Sequence, residues 1–106
     1  MRRAELSGYW SGALRRRAIW SEDVYVDLGL TAWARSEATI RDGILITKSE
    51  AIERLRSTDL PAAVVDGVAS RRDGEVTELS GEERDDRAIL IRRFLKREVA
   101  LLLADS

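Results

Sequence analysis

The apolar pattern near the end of the chain constrains its fold more than any other feature. Ala88, Ile91, Leu95, Val99 and Leu102 recur every three or four residues, which is the period of an α-helix. Other apolar residues widen this face: Ile89, Leu90, Phe94, Leu101 and Leu103. A capping-box sequence, Ser80-Gly81-Glu82-Glu83, precedes it and predicts one long helix that ends near Leu103. So broad an apolar face needs several neighbouring helices.

Two shorter helices are predicted before the long one. Thr47-Lys48-Ser49-Glu50 also fits the capping box, so a helix should run from there to about Arg56. Its expected inward residues are Ala51, Ile52 and Leu55. Asp59 is the expected cap of the next helix, with Pro61 in its first turn and Arg71-Arg72-Asp73-Gly74 at its end. The expected inward residues there are Leu60, Val64, Val65 and Val68.

The first part of the chain predicts two further helices. One should extend from Glu5 to about Ile19, with apolar residues mainly on one face. The next should begin with Ser21 as N-cap and run to about Ala38. Its expected inward residues are Val24, Leu28, Trp33 and Ala34, with Tyr25 beside them. A strand over Val24–Leu30 is the alternative, because Val-Tyr-Val favours extended structure.

Together these segments predict a single all-α domain over residues 1–106, a compact antiparallel bundle of about five helices. Asp42-Gly43 is a turn signal, and Ile44-Leu45-Ile46 after it should form a buried connector or a brief extended segment.

Composition excludes several classes of function. The chain has no Cys and no His, which rules out thiol or histidine catalysis and imidazole or thiolate metal sites. Its 18 basic and 19 acidic residues give a net charge of −1, which argues against a nucleic-acid partner. No apolar run is long enough to span a membrane and no signal peptide follows the start, so we expect a cytoplasmic protein without a membrane partner.

Several fragments occur in an order that resembles a known family. They are Gly8-Tyr9-Trp10, Val26-Asp27-Leu28-Gly29-Leu30, Asp42-Gly43-Ile44-Leu45-Ile46-Thr47-Lys48-Ser49-Glu50-Ala51 and Leu60-Pro61, followed by the long amphipathic helix. The chain resembles the C-terminal helical domain of the aminoglycoside nucleotidyltransferases that modify streptomycin and spectinomycin. The family's middle fragment reads roughly T-G-x-I-x-S-K-x-x-A, whereas this chain has Asp42-Gly43 for Thr-Gly and Thr47-Lys48 for Ser-Lys.

The resemblance implies a role in antibiotic resistance, by transfer of AMP from ATP to an antibiotic hydroxyl. In the family, an N-terminal domain with a Gly-Ser turn and paired carboxylates binds Mg²⁺ and ATP, and the drug lies in the cleft between the domains. This chain contains no Gly-Ser turn followed by Asp-x-Asp, so we expect no catalytic residue, no metal site and no cofactor of its own. We therefore expect the chain to be inactive alone and to work with a nucleotidyltransferase domain or as a homodimer.

Four residues are candidates for binding. Lys48 matches the family's motif lysine and would bind nucleotide phosphates from a helix N-terminus. The resemblance implies that Trp20, Asp23 and Asp27 contact a cationic aminoglycoside, and the four-residue spacing places both carboxylates on one helix face. Ordinary structural roles remain open as well: Lys48 as a solvated lysine after the cap, Glu22 and Asp23 as acidic residues of the first helical turn, and Trp20 as a core residue.

A second function stays open beside this one. The chain could be a non-catalytic interaction module, such as an antitoxin-like or regulatory subunit that binds a protein partner. Either function leads us to expect an exposed apolar patch to which Tyr9, Trp10, Trp20 or Trp33 contributes.

Overall fold

The computed structural model describes Trp20 and residues 22–105, and within them it contains four helices and no strand. They are α1 (Asp23–Asp42), α2 (Lys48–Arg56), α3 (Ala62–Arg72) and α4 (Gly81–Asp105). Helix α1 packs against α2 and α4, and α2 packs against α3. The all-α prediction is confirmed, with four helices where about five were expected. The helix predicted over Glu5–Ile19 lies outside the described residues.

Both predicted capping boxes are confirmed. At the start of α2, the Thr47 hydroxyl accepts from the Glu50 N–H and the Glu50 carboxylate accepts from the Thr47 N–H, each at 3.1 Å. Ser80 and Glu83 make the same reciprocal pair at 3.1 Å before α4. The hydrogen bonds that Glu83 shares with Ser80 hold the pKa of its carboxyl below its ordinary value. The starts of α2 and α4 are thus fixed by local chemistry.

Two other predicted caps are wrong. Glu22, in extended conformation, occupies the N-cap position of α1, and Ser21 lies outside the described residues. Pro61 occupies the N-cap position of α3, so the helix begins at Ala62 and not after Asp59. The fixed φ of proline and its missing N–H suit this position, and the Asp59 carboxylate instead accepts a hydrogen bond from Arg97 at 2.7 Å.

Helix α1 is longer than expected, because it continues past Ala38 to a left-handed turn at Gly43. Gly43 has a φ of +67°, and its N–H donates to the Thr39 carbonyl at 3.0 Å. This is the bond of an αL helix end, and the Ile44 N–H also donates to the Ala38 carbonyl at 3.3 Å.

The predicted inward face of α1 is partly wrong. Trp33 and Ala34 are buried as expected, but Val24 and Leu28 are about half exposed and Tyr25 is exposed as well. The buried stripe instead runs through five residues at helical spacing: Val26, Leu30, Trp33, Ala34 and Ala38. Val24 and Leu28 lie on another side of α1, where the residues that follow at helical spacing are the polar Thr31 and Arg35.

The core lies between all four helices. Its largest fully buried side chains include Trp20, Leu30, Trp33, Leu55, Ile91, Leu95 and Leu102. The Trp33 and Phe94 rings meet edge to face with centroids 5.1 Å apart. The predicted inward positions of α2 are confirmed, as are Leu60, Val65 and Val68 beside α3, whereas Val64 is only partly buried.

One burial prediction is wrong, and a second is tested only in part. The Ile44–Ile46 connector is not buried, since Leu45 is 90% exposed and Ile44 is 47% exposed. It joins two helices that pack directly on each other, so it runs over the surface. Trp20 and Trp33 are each 1% exposed and contribute to no exposed patch. Tyr9 and Trp10 lie outside the described residues.

Of the described helices, none combines the length and apolar character needed to cross a membrane.

Candidate functional site

A cluster of ion pairs joins the first half of α1 to α3 and α4. We call it the Asp23 cluster; its members are Asp23, Asp27, Arg71, Arg84 and Arg87. Asp23 lies 2.8 Å from Arg87, 2.9 Å from Arg84 and 3.8 Å from Arg71. The two predicted carboxylates therefore do share one face of α1, and arginines of the same chain already pair with both.

Asp27 is held by a forked contact. Arg71 donates from Nε to both carboxylate oxygens at 2.8 and 3.1 Å, and from Nη2 to Oδ1 at 2.7 Å. Its remaining Nη1 donates to the Thr77 hydroxyl at 2.6 Å. Such a two-point contact fixes the planes of both groups, so Arg71 locks α3 and the α3–α4 loop onto α1.

The environment of Asp23 shifts its acidity. Burial acts to raise the pKa of the carboxyl, but hydrogen bonds from Arg87 and Arg84 and the charge of Arg71 outweigh burial and lower it. Asp23 is therefore ionised throughout the physiological range, and its charge is balanced by nearby guanidinium groups.

Lys48 and Asp27 line one shallow pocket between α1, α2 and α3. The pocket has a volume of about 250 Å³. Its lining residues are Asp27, Leu28, Thr31, Lys48, Ile52, Val68, Arg71 and Arg72. We call it the Lys48 pocket. It brings together Lys48, the candidate nucleotide-binding residue, and Asp27, one of the two candidate substrate-binding carboxylates. The two residues are far apart in the sequence.

The local fold explains why Lys48 reaches this pocket. The Thr47–Glu50 capping box places Lys48 as the first residue of α2, where the first backbone N–H groups have no acceptor within the helix. Arg72 donates to the Ser49 hydroxyl at 3.3 Å, so a second cation lies beside the same helix start. Buried Ile52 and Val68 contribute apolar surface to the pocket.

The charges of the pocket favour an anion. Lys48, Arg71 and Arg72 contribute three positive charges against the single carboxylate of Asp27. Asp27 is already satisfied by Arg71, so the excess positive charge lies toward Lys48 and Arg72. The partial positive charge of the α2 N-terminus adds to this excess, and the Glu50 carboxylate of the capping box offsets part of it. The chemistry suits a phosphate or carboxylate group better than a cation.

Trp20 lies elsewhere. Its ring is 1% exposed and packs so closely on α1 that a Cβ at Gly29 would lie 2.5 Å from Trp20 Cζ3. The ring is therefore part of the core and offers no open face to a sugar. Trp20 precedes Asp23 by three residues in the sequence, and it does not line the Lys48 pocket.

Arg71 and Arg72 are the site residues that the sequence did not single out. They were expected only as basic residues in the last turn of α3, where cations favour the helix dipole. Their positions three and two residues before a left-handed glycine, Gly74, gave no further signal. The described residues contain no group of three carboxylates that could hold a metal ion.

Comparison of the chain with protein-family models, with curated proteins and with solved structures gives no match.

Proposed function

We propose that this chain is a helical ligand-binding domain of the aminoglycoside nucleotidyltransferase type, which binds the phosphates of a nucleotide in the Lys48 pocket. The observation that carries the proposal is the pocket itself, which gathers Lys48, Arg72 and Asp27 from three helices. The resemblance links the first and last of these residues to nucleotide and drug, respectively. Their meeting in one pocket is what a domain with both tasks requires.

The phosphate is expected at the start of α2. There the Lys48 ammonium, the Arg72 guanidinium and the first helix N–H groups can all donate to phosphate oxygens. Leu28, which is half exposed at the edge of the same pocket, offers apolar surface to the rest of the nucleotide. The pocket is small and open, so binding by this chain alone should be weak.

An aminoglycoside should bind the Asp23–Asp27 face more weakly still. A polycationic drug would compete with Arg71, Arg84 and Arg87 for the two carboxylates. We expect any such binding to fall on Asp23→Ala or Asp27→Ala and on addition of salt, because attraction between charges carries it.

Catalysis needs more than these residues provide. A Lys48–phosphate contact contributes about 1 kcal/mol at an exposed site. Enzymes typically lower activation barriers by about 8 kcal/mol or more. In the proposal, ATP-bound Mg²⁺ and its carboxylates belong to a partner nucleotidyltransferase domain, and this chain orients the nucleotide. We expect no pyrophosphate release by the purified chain with ATP, Mg²⁺ and streptomycin or spectinomycin.

Titration calorimetry with ATP and Mg²⁺ tests the proposal. Lys48→Ala should weaken binding about fivefold, which corresponds to about 1 kcal/mol. The chain offers a matched control, because Lys96 is its only other lysine and lies exposed on α4. Lys96→Ala removes the same charge and should leave ATP binding unchanged. Equal losses in both variants would mean that ATP responds to net charge and would refute the pocket.

A second candidate function is that of an interaction module for a protein partner. The half-exposed row of Val24, Tyr25 and Leu28 on α1 favours it. The same titration separates the two candidates, because a purely protein-binding module would show no binding of ATP that depends on Lys48. The gene context discriminates as well: an adjoining Gly-Ser and Asp-x-Asp domain supports the first function, and an unrelated neighbouring toxin or enzyme supports the second.

A further inference from the structure

The outward face of α4 carries charges in an ordered sequence. We call this face the α4 stripe; its residues are Glu82, Asp85, Asp86, Ile89, Arg92, Arg93 and Lys96. From Glu82 to the Asp85-Asp86 pair, to Ile89, to the Arg92-Arg93 pair and to Lys96, each step is three or four residues, so all of them lie on one side of the helix. Acidic residues occupy the N-terminal half of the stripe, basic residues occupy the C-terminal half, and Ile89 stands between them.

The stripe is complementary to itself when reversed. Counted from Ile89, Asp85 and Arg93 lie four residues away on opposite sides, and Glu82 and Lys96 lie seven residues away. Two such helices in antiparallel orientation, related by a twofold axis at Ile89, would place each of these carboxylates opposite a cation of the other copy. Each pair would occur twice, as an isologous interface requires.

Four of the stripe charges have no partner within the described part of the chain. Glu82, Asp85, Arg93 and Lys96 are exposed and take part in no ion pair or side-chain hydrogen bond among the residues described. Ile89 is 55% exposed although it lies at the centre of the face. An apolar residue flanked by ordered, unused charges is typical of a surface that associates with another.

We propose that the α4 stripe is a homodimer interface, in which two copies of this chain pair their α4 helices antiparallel about Ile89. The occupant is a second copy because the charge order of the stripe matches its own reversal. The contact would extend over residues 82–96, which is about 21 Å of helix.

The surface around Ile89 can accommodate such a helix. A groove of about 430 Å³ lies on one side of Ile89, between α4 and the loop that carries Asp59 and Pro61. A second groove of about 370 Å³ lies on the other side and is lined by Arg92, Arg93 and Lys96. A ridge with grooves on both sides is the surface that helices use when they pack ridge into groove.

The interface leaves the Lys48 pocket open. That pocket is lined by residues of α1, α2 and α3 and by no residue of α4. The proposal therefore does not depend on the proposed function, and either can fail alone. A single helix face buries a small area, so association in the micromolar range or weaker is expected.

Disulfide trapping tests the position of the twofold axis. The chain has no cysteine, so Ile89→Cys introduces one thiol at the expected axis. Helices packed 8–10 Å apart bring facing Cα atoms to about 4–5 Å, within disulfide reach. Mild oxidation should therefore give a covalent dimer of Ile89→Cys. Leu45→Cys, at a position 90% exposed on another surface, is the control and should form no covalent dimer under the same conditions.

Charge reversal tests the pairing. Asp85→Lys or Arg93→Glu alone would place like charges opposite each other twice, so each should weaken dimerisation about tenfold in sedimentation equilibrium. The combined variant, Asp85→Lys with Arg93→Glu, should restore dimerisation to within about threefold of the natural chain. Arg35→Glu, at an exposed position of α1, makes the same change in charge and should have no effect. Circular dichroism confirms that each variant is folded.

Three results would overturn the proposal. The first is a natural chain that remains monomeric at about 1 mM protein in low salt. The second is equal disulfide trapping of Ile89→Cys and Leu45→Cys. The third is a dimer that the single reversals leave intact, or that the combined variant does not restore.

Discussion

The Asp23 cluster and the α4 stripe are built from the same residue types and use them in opposite ways. In the Asp23 cluster, two carboxylates meet three guanidinium groups of the same chain at 2.7 to 3.8 Å. In the α4 stripe, Glu82, Asp85, Arg93 and Lys96 meet no partner within the described residues. Charge pattern alone does not reveal which role a segment has.

Burial explains the difference. The Arg87 side chain is 7% exposed and that of Arg71 is 12% exposed, so both guanidinium groups have lost much of their contact with water. A desolvated charge is costly unless a partner of opposite sign replaces the water. The stripe residues keep their water and need no such partner. We therefore regard the cluster as part of the fold and the stripe as available for binding.

The largest difference in stability between the two regions should appear when the Asp23 charge is removed. Asp23→Asn takes the carboxylate away from the buried Arg87 and from Arg84, and should lower the free energy of unfolding by about 2–3 kcal/mol. Asp85→Asn on the stripe is the matched control and should change it by less than about 0.5 kcal/mol. Urea unfolding of both variants checks the prediction, and equal effects would abolish the distinction between the two regions.

The packing behind the cluster should be nearly as sensitive. Gly29→Ala would drive a Cβ into the buried Trp20 ring, and should destabilise the fold by about 2 kcal/mol although alanine favours helices. Gly81→Ala is the control, since a Cβ there meets nothing within 4 Å. Thermal unfolding should show a clear loss for the first variant and no loss for the second. A stable Gly29→Ala chain would show that Trp20 does not fix the start of α1.

Acid should weaken the stabilisation that the Asp23 cluster provides. The pKa of Asp23 is lower in the folded chain than in the unfolded one, because its hydrogen bonds with arginines outweigh its burial. Its stabilisation is therefore complete above the unfolded pKa, near 3.9, and is lost as the pH falls through the folded value. Urea unfolding between pH 3 and pH 7 should show a steeper acid loss for the natural chain than for Asp23→Asn. Parallel profiles would contradict this assignment.

The smallest effect is expected at an exposed ion pair. Arg97 lies 2.7 Å from Asp59, but the two side chains are 50% and 65% exposed. Asp59→Asn should therefore lower stability by about 0.5 kcal/mol or less, and salt should reduce even this difference. A loss as large as that of Asp23→Asn would mean that geometry outweighs burial in this protein.

The sequence predicted those parts of the fold that depend on neighbouring residues. Thr47 and Glu50, like Ser80 and Glu83, carry their whole capping interaction within four residues. The inward face of α1 was not predictable in this way, because two apolar rows compete along that helix. Gly29 contacts the Trp20 ring on the buried side of α1, and only the folded structure reveals this contact.

The site was predictable to the same limited degree. The four-residue spacing of Asp23 and Asp27 correctly placed both on one helix face. Their partners could not be predicted, because Arg71 and Arg84 lie 44 and 61 residues further along the chain. The approach of Lys48 to Asp27 depends likewise on how α2 and α3 pack around α1. The motif identified candidate residues, and tertiary packing decided which of them are already engaged.

Both the Lys48 pocket and the basic half of the α4 stripe could attract phosphate, and an amide ¹H–¹⁵N NMR titration with ATP and Mg²⁺ distinguishes between them. The proposed function predicts that the largest amide shifts fall at residues 48–50 and 71–72, around the pocket. Shifts confined to residues 92–97 of α4, with the pocket unchanged, would contradict it, since the nucleotide would then recognise free surface charge and not a site formed by α1, α2 and α3.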